Sequence, residues 1–285
     1  MSSAPGPVRG GQSPVRFFAG GRLGLGVAAV LLLVSAVSWA LTYYSMPLMT
    51  MGDAGMSPMG TSGAATLASS LGLRSVALFE LVWVLGMVAM MFPAMIPIVL
   101  FYNKAVTRLE PNPARARVVG TPLFLAGYIG LYAGLGLVIY VAAFLAYAVL
   151  LPALPAVGLI APSVVLVVAG AYQVSPLKSR CLSQCVSPIG FFAAHSHRGL
   201  LGGFRMGASH GVYCVGCCWA YMVVMFVVTA MSLPFMAVLA GVIALEKVVA
   251  RGAVWYTRAV GAGLAALGVA SLFAPQIVAL LSAGM

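Results

Sequence analysis

Acidic side chains are nearly missing from this sequence. Asp and Glu together number 4 in 285 residues, and charged residues of all types make up 7%. A soluble domain carries about a quarter charged residues, so this chain cannot clothe a water-facing surface. The shortage also leaves no paired-carboxylate arrangement for acid–base work, and no serine triad is visible. Glycine-rich patterns such as GYIGLYAGLG occur, but they lack the Lys-Ser/Thr of a phosphate-binding loop and read as sites of close helix approach. Lysine and arginine outnumber the acids and give a net charge of +11. No run interleaves them with aromatics as a nucleic-acid surface would, so no nucleic-acid partner is expected.

What fills the space is apolar. Hydrophobic residues are 62% of the chain and the mean hydropathy is +1.09. Seven apolar segments can be drawn, at roughly 23–44, 76–102, 121–150, 162–177, 211–231, 234–246 and 259–283. The expected fold is therefore all-α, a polytopic transmembrane bundle of about seven spans (six to seven). The segments at 162–177 and 234–246 are short for full spans, and the second follows 211–231 through a tight SLP turn, as in a helical hairpin. Residues 1–22 read as a disordered basic tail. Residues 23–75 read as a first span with a Met-rich loop, and 76–285 as a metal-binding helical domain. VSAVSWA offers small residues for signal cleavage, but the apolar run before it is longer than a usual signal core, so an uncleaved span is expected.

Basic residues orient the bundle. With the N-terminus inside, Arg9, Arg16, Arg22, Lys104, Arg108, Arg115, Arg117, Lys178, Arg180, Arg198, Arg205, Lys247, Arg251 and Arg258 are cytoplasmic, and Arg74 alone lies outside. That asymmetry predicts a multi-pass protein of the bacterial inner membrane, N-terminus in, with anionic lipid as its surroundings.

Sulfur is scarce but gathered. The chain has 5 cysteines. Cys214, Cys217 and Cys218 stand in HGVYCVGCCW, at spacings of three and four that place them on one helical face with His210 a turn away. Cys181 and Cys185, four apart, fall in the third inner loop. All are expected at the cytoplasmic interface, away from the compartment where disulfides persist. Two such groups supply thiolates for a soft metal. Methionine tips the choice of metal, being a poor zinc ligand and an adequate Cu(I) ligand. Met46, Met49, Met51, Met56 and Met59 crowd the first outer loop as candidates for capture. Met87, Met90, Met91 and Met95 line the second segment as a candidate relay, although kinks at Pro93 and Pro97 give methionine an equally good packing role. Glu80 is an intramembrane carboxylate, a relay candidate unless it snorkels or pairs with Arg74. Glu246 and Lys247 read as an interfacial ion pair, and His195 and His197 as solvated loop residues.

The stretches AGAYQVSPLKSRCLSQCVSPIGFF, GGFRMGASHGVYCVGCCWAYMVVMFVVTAMSL and ALEKVVARG, with WVLGMVAMMFPAMIPIVLFYNK upstream, resemble a bacterial family of predicted metal-binding integral membrane proteins, a domain of unknown function. The likeness covers roughly residues 76–250. It implies Cys181, Cys185, Cys214, Cys217 and Cys218 as ligands, with His210 adjacent. Members usually carry Arg where this chain has Val186. The expected activity is handling or translocation of Cu(I), favoured over Zn(II), with a copper chaperone or cuproprotein as partner. The alternatives are a membrane thiol oxidoreductase, for which Cys214-Val-Gly-Cys217 has the C-x-x-C pattern, and a structural zinc site in an assembly factor.

Overall fold

The computed structural model describes residues 22–50, 72–109, 113–146, 155–195, 200–229, 231–274 and 276, and every regular element among them is helical. In chain order these are α1 (Arg22–Thr50), α2 (Leu73–Leu109), α3 (Pro113–Leu145), α4 (Pro155–Gln173), α5 (Pro176–Val186), α6 (Pro188–His195), α7 (Leu200–Val227), α8 (Leu233–Ala244), a π-helical turn (Leu245–Val249) and α9 (Val254–Phe273).

By length and composition α1, α2, α3, α7 and α9 can each cross a membrane. α4 and α5 add a sixth crossing only if taken as one span, and they are bent by 65°. α8 has 12 residues and rises about 18 Å, too little for a hydrocarbon core of about 30 Å. Among the described residues length thus supports five or six spans, where hydropathy predicts six to seven. α8 instead turns back after α7 and delivers the π turn beside the middle of its partner.

Backbone satisfaction and close packing explain how the helices meet. Pro93 has no N–H, so the carbonyl of Ala89 one turn earlier loses its helical donor. Ser35 Oγ of α1 donates to that oxygen at 2.7 Å. Gly127 of α3 and Gly207 of α7 have no room for a Cβ: it would run into Phe204 O and Phe124 O respectively. These glycines bring the two backbones into contact. α4 and α9 meet the same way at Gly170 and Gly261, and Ser271 Oγ donates to Ser163 Oγ at 2.8 Å. Phe79, Trp83, Phe124, Tyr128, Tyr132 and Tyr140 fill the interior, while Leu33, Val141, Val168 and Val238 stay exposed as lipid-facing residues would.

Candidate metal centre

The segment expected as a loop after residue 177 is helical. Ser175 caps α5 by accepting the Lys178 N–H at 3.2 Å, and Pro176 supplies the preset first residue. α5 therefore carries Cys181 and Cys185 on a rigid element against α7. α7 begins at Leu200, not near residue 211. Cys214 consequently lies about 21 Å along the helix, near its middle and not in its first turns. An N-terminal dipole cannot activate the C-x-x-C pair at that depth.

Cys185, Cys214 and Cys217 come together: their sulfurs all lie within 4.8 Å of one another. Cys217 Sγ stands 3.6 Å from Cys185 Sγ. Cys214, Cys217 and Cys218 are each 1% exposed and Cys185 is half-buried. Cys218 is not in this group. Its thiol donates to Cys214 O at 2.7 Å and faces Tyr132 Oη at 3.8 Å, turned toward α3. Cys181 packs beside the group against Gly216, where a Cβ would sit 2.7 Å from its sulfur. Tyr172 of α4 donates to Gly216 O, which fixes this part of α7 from another side. His210 is buried among Phe124, Tyr128 and Phe191, and its Nδ1 has no hydrogen-bond partner among the described residues. It does not join the close thiol group.

Two neighbours of the thiols went unnoticed in the sequence. Lys247 Nζ donates to Cys214 Sγ at 2.9 Å, and Tyr128 Oη lies 3.1 Å from the same sulfur. The π turn makes the lysine contact possible, because its wider winding turns consecutive residues 246 and 247 into the interior. Glu246 and Lys247 do not pair with each other as expected. Glu246 Oε1 takes Lys178 Nζ at 2.7 Å, both side chains being 1% exposed. Gln173 Oε1 accepts from the same ammonium, and Tyr221 Oη donates to Glu246 Oε2 at 3.4 Å. Two polar clusters thus flank one turn.

The chain matches the family described as PpoB2, copper chaperone, over residues 80–271, about two thirds of its length. It belongs to that family. No curated protein and no solved structure gives a match. The donor set fits copper chemistry. Three sulfurs from two helices suit a soft metal ion, copper among them.

The remaining candidates fall elsewhere. Met87, Met90, Met91 and Met95 are all buried in the same core as the helix thiols. Glu80 sits about 22 Å along α2 from Met95, and neither of its buried carboxylate oxygens has a hydrogen-bond partner among the described residues. It does not pair with Arg74. His195 is not a free loop residue: it ends α6, with Nε2 3.1 Å from Tyr213 Oη. Met51, Met56, Met59 and His197 lie outside the described residues, as do the side chains of Met46 and Met49.

Proposed function

We propose that this copper-chaperone family member resides in the bacterial inner membrane and takes up Cu(I) as cargo at Cys185, Cys214 and Cys217. The observation that carries the reading is the meeting of three thiols, two from α7 and one from α5, within 4.8 Å. A single helix face would leave such a site open on one side; α5 closes it. Thiolates around a monovalent ion carry excess negative charge, and Lys247 at 2.9 Å from Cys214 offsets part of it. Cys181 and Cys218 flank the trio as exchange ligands, so copper can leave sulfur by sulfur without passing through a bare state. Cys185 and Lys247 also line a cavity of about 460 Å³ walled by Pro93, Pro97 and Ile98, which gives a partner's thiol its approach.

The outer methionines Met46, Met49, Met51, Met56 and Met59 collect copper, and Glu80 with Met87, Met90, Met91 and Met95 passes it inward to the thiols. The receiving partner is a soluble copper chaperone or a cuproprotein. This path requires residues 51–71 and α6 on opposite faces of the membrane. Labelling reporters in that loop and at exposed Ala194 should give opposite accessibility, and equal accessibility removes the path.

A second reading draws on the 3.6 Å separation of Cys185 and Cys217. A thiol oxidoreductase would close these two into a disulfide, passing two electrons and two protons to a quinone. Metal analysis of the protein purified in detergent separates the cases. About one copper per chain supports the chaperone, zinc in the same ratio makes the site a brace between helices, and metal-free protein with a reducible Cys185–Cys217 bond supports the oxidoreductase.

A further inference from the structure

A second cavity, of about 350 Å³, opens between α5 and the start of α9 and shares Val186 and Arg251 with the cavity beside Cys185. Lys178, Arg251 and Arg258 line it and no acidic residue does, in a chain whose charges are otherwise sparse. The single nearby acid, Glu246, is engaged by Lys178, so the two arginines remain as excess positive charge, and both are exposed. Gln173 lines the same space and is 2% exposed. Its Oε1 is taken by Lys178, while its buried Nε2 has no hydrogen-bond partner among the described residues. A buried amide donor without an acceptor is unfavourable, and an acceptor in the cavity it lines would satisfy it. Ser175 adds a second donor. Its oxygen accepts the Lys178 N–H as the cap of α5, which leaves its proton to give. The cap also places the positive end of the α5 dipole at this wall. Finally, Arg251 and Gly252 take φ of 49° and 75° where the chain leaves the π turn. An arginine in the left-handed region is uncommon, and Arg251 lines the cavity from this turn.

We propose that this cavity binds a phosphate group, its oxygens taking the Gln173 Nε2 and Ser175 Oγ protons and facing Arg251 and Arg258. The charged groups of the lining are all cations and no carboxylate stands among them, which selects an anion over a metal ion. The phosphate has two sources, an anionic phospholipid headgroup or free phosphate. The site does not depend on the copper reading, since no cysteine contributes to it.

The test uses the full chain purified in a neutral detergent. Its thermal melting is followed on titration with phosphatidylglycerol, phosphatidylcholine and inorganic phosphate, and lipid retention is read by native mass spectrometry. Phosphatidylglycerol should raise the melting temperature and remain bound where phosphatidylcholine does not, if the source is a lipid. Inorganic phosphate should do the same at millimolar concentration if the source is soluble. In either case Arg251→Gln and Arg258→Gln, at exposed positions that leave the fold intact, should each weaken binding about fivefold. Gln173→Leu should weaken it further, and if that variant fails to fold the arginine pair still decides. Copper content should be unchanged in Arg258→Gln, which lies outside the cavity beside Cys185. Binding of neither probe, or binding insensitive to both arginines, overturns the proposal.

Discussion

Glu246 and Lys247 are adjacent in sequence, and they belong to different chemistries. Glu246 enters a cluster of hard donors and acceptors, closed by Lys178, Gln173 and Tyr221. Lys247 enters a cluster of sulfur, next to Cys214 and its thiol partners. The first cluster matches a negative charge with a positive one, so its charge is balanced without any ligand. The second gathers several thiols around a single lysine, and under the proposed function a bound cation balances them. A buried charge pair is retained where it fixes geometry, and a buried unbalanced set is retained where it binds something. The π turn joins the two.

The strongest break in that comparison is a pair of substitutions with opposite effects. Glu246→Gln leaves Lys178 buried without its counter-charge and should destabilise the fold by about 3–5 kcal/mol. It should leave copper per folded chain nearly unchanged. Cys217→Ser should do the reverse, melting close to the parent while losing most of its metal, and Cys185→Ser should lose a comparable share because a closed site needs ligands from both helices. Thermal melting and metal analysis on the same samples check both. If the α7 cysteines retain a full complement after Cys181 and Cys185 are both replaced, the shared site is wrong.

A smaller effect sharpens the role of the lysine. Lys247→Leu keeps an apolar side chain in the same space, adds no copper ligand and removes the donor at 2.9 Å from Cys214. A hydrogen bond to a charged group contributes about 1.5–3 kcal/mol, so Cu(I) affinity should fall about ten- to a hundredfold, as read by competition with a chromophoric Cu(I) chelator. Lys247→Arg, which restores the charge, should recover part of the loss. Equal affinity in all three proteins would show that the lysine only packs beside the thiols.

The parts of this arrangement that could be read from sequence are those carried by local chemistry. The three- and four-residue spacings of the cysteines were visible, as was the gathering of all of them into one region of the bundle. The parts that escaped depend on tertiary contact. The segment LLGGFRMGASH is too polar and glycine-rich to read as helix by hydropathy, yet it forms the first turns of α7. Gly203 and Gly207 explain why: they let the backbone rest against Gly120 and Phe124 of α3, and that packing outweighs propensity. The depth of the thiols was misjudged for this reason alone. Ser175-Pro176 was a readable helix start, and it marks α5 in what was taken as loop. Nothing in ALEKVV announced that Glu246 and Lys247 would face different partners, because a π turn has no spacing signature. Tyr128 and Tyr132, four apart in GYIGLYAGLG, stood among glycines that explained the stretch by themselves.

The mildest perturbation asks whether α2 differs from the thiol centre in kind. Met87, Met90, Met91 and Met95 are buried in the core that also holds Cys214 and Cys217, but no charge or polar group marks them as a site. Leucine conserves their volume, and such swaps cost less than about 1.5 kcal/mol each. Replacing Met87, Met91 and Met95 with Leu should therefore leave the fold and the equilibrium copper content intact, because the holding ligands are thiolates. Transfer is the sensitive readout. In proteoliposomes, with Cu(I) supplied on the face of the 51–71 segment, the triple variant should load the thiols more slowly than the parent if thioethers carry the ion past the Pro93 and Pro97 kinks. An unchanged loading rate assigns these methionines to filling the irregular space those prolines create, and the path to Cys185 then runs through the 460 Å³ cavity alone.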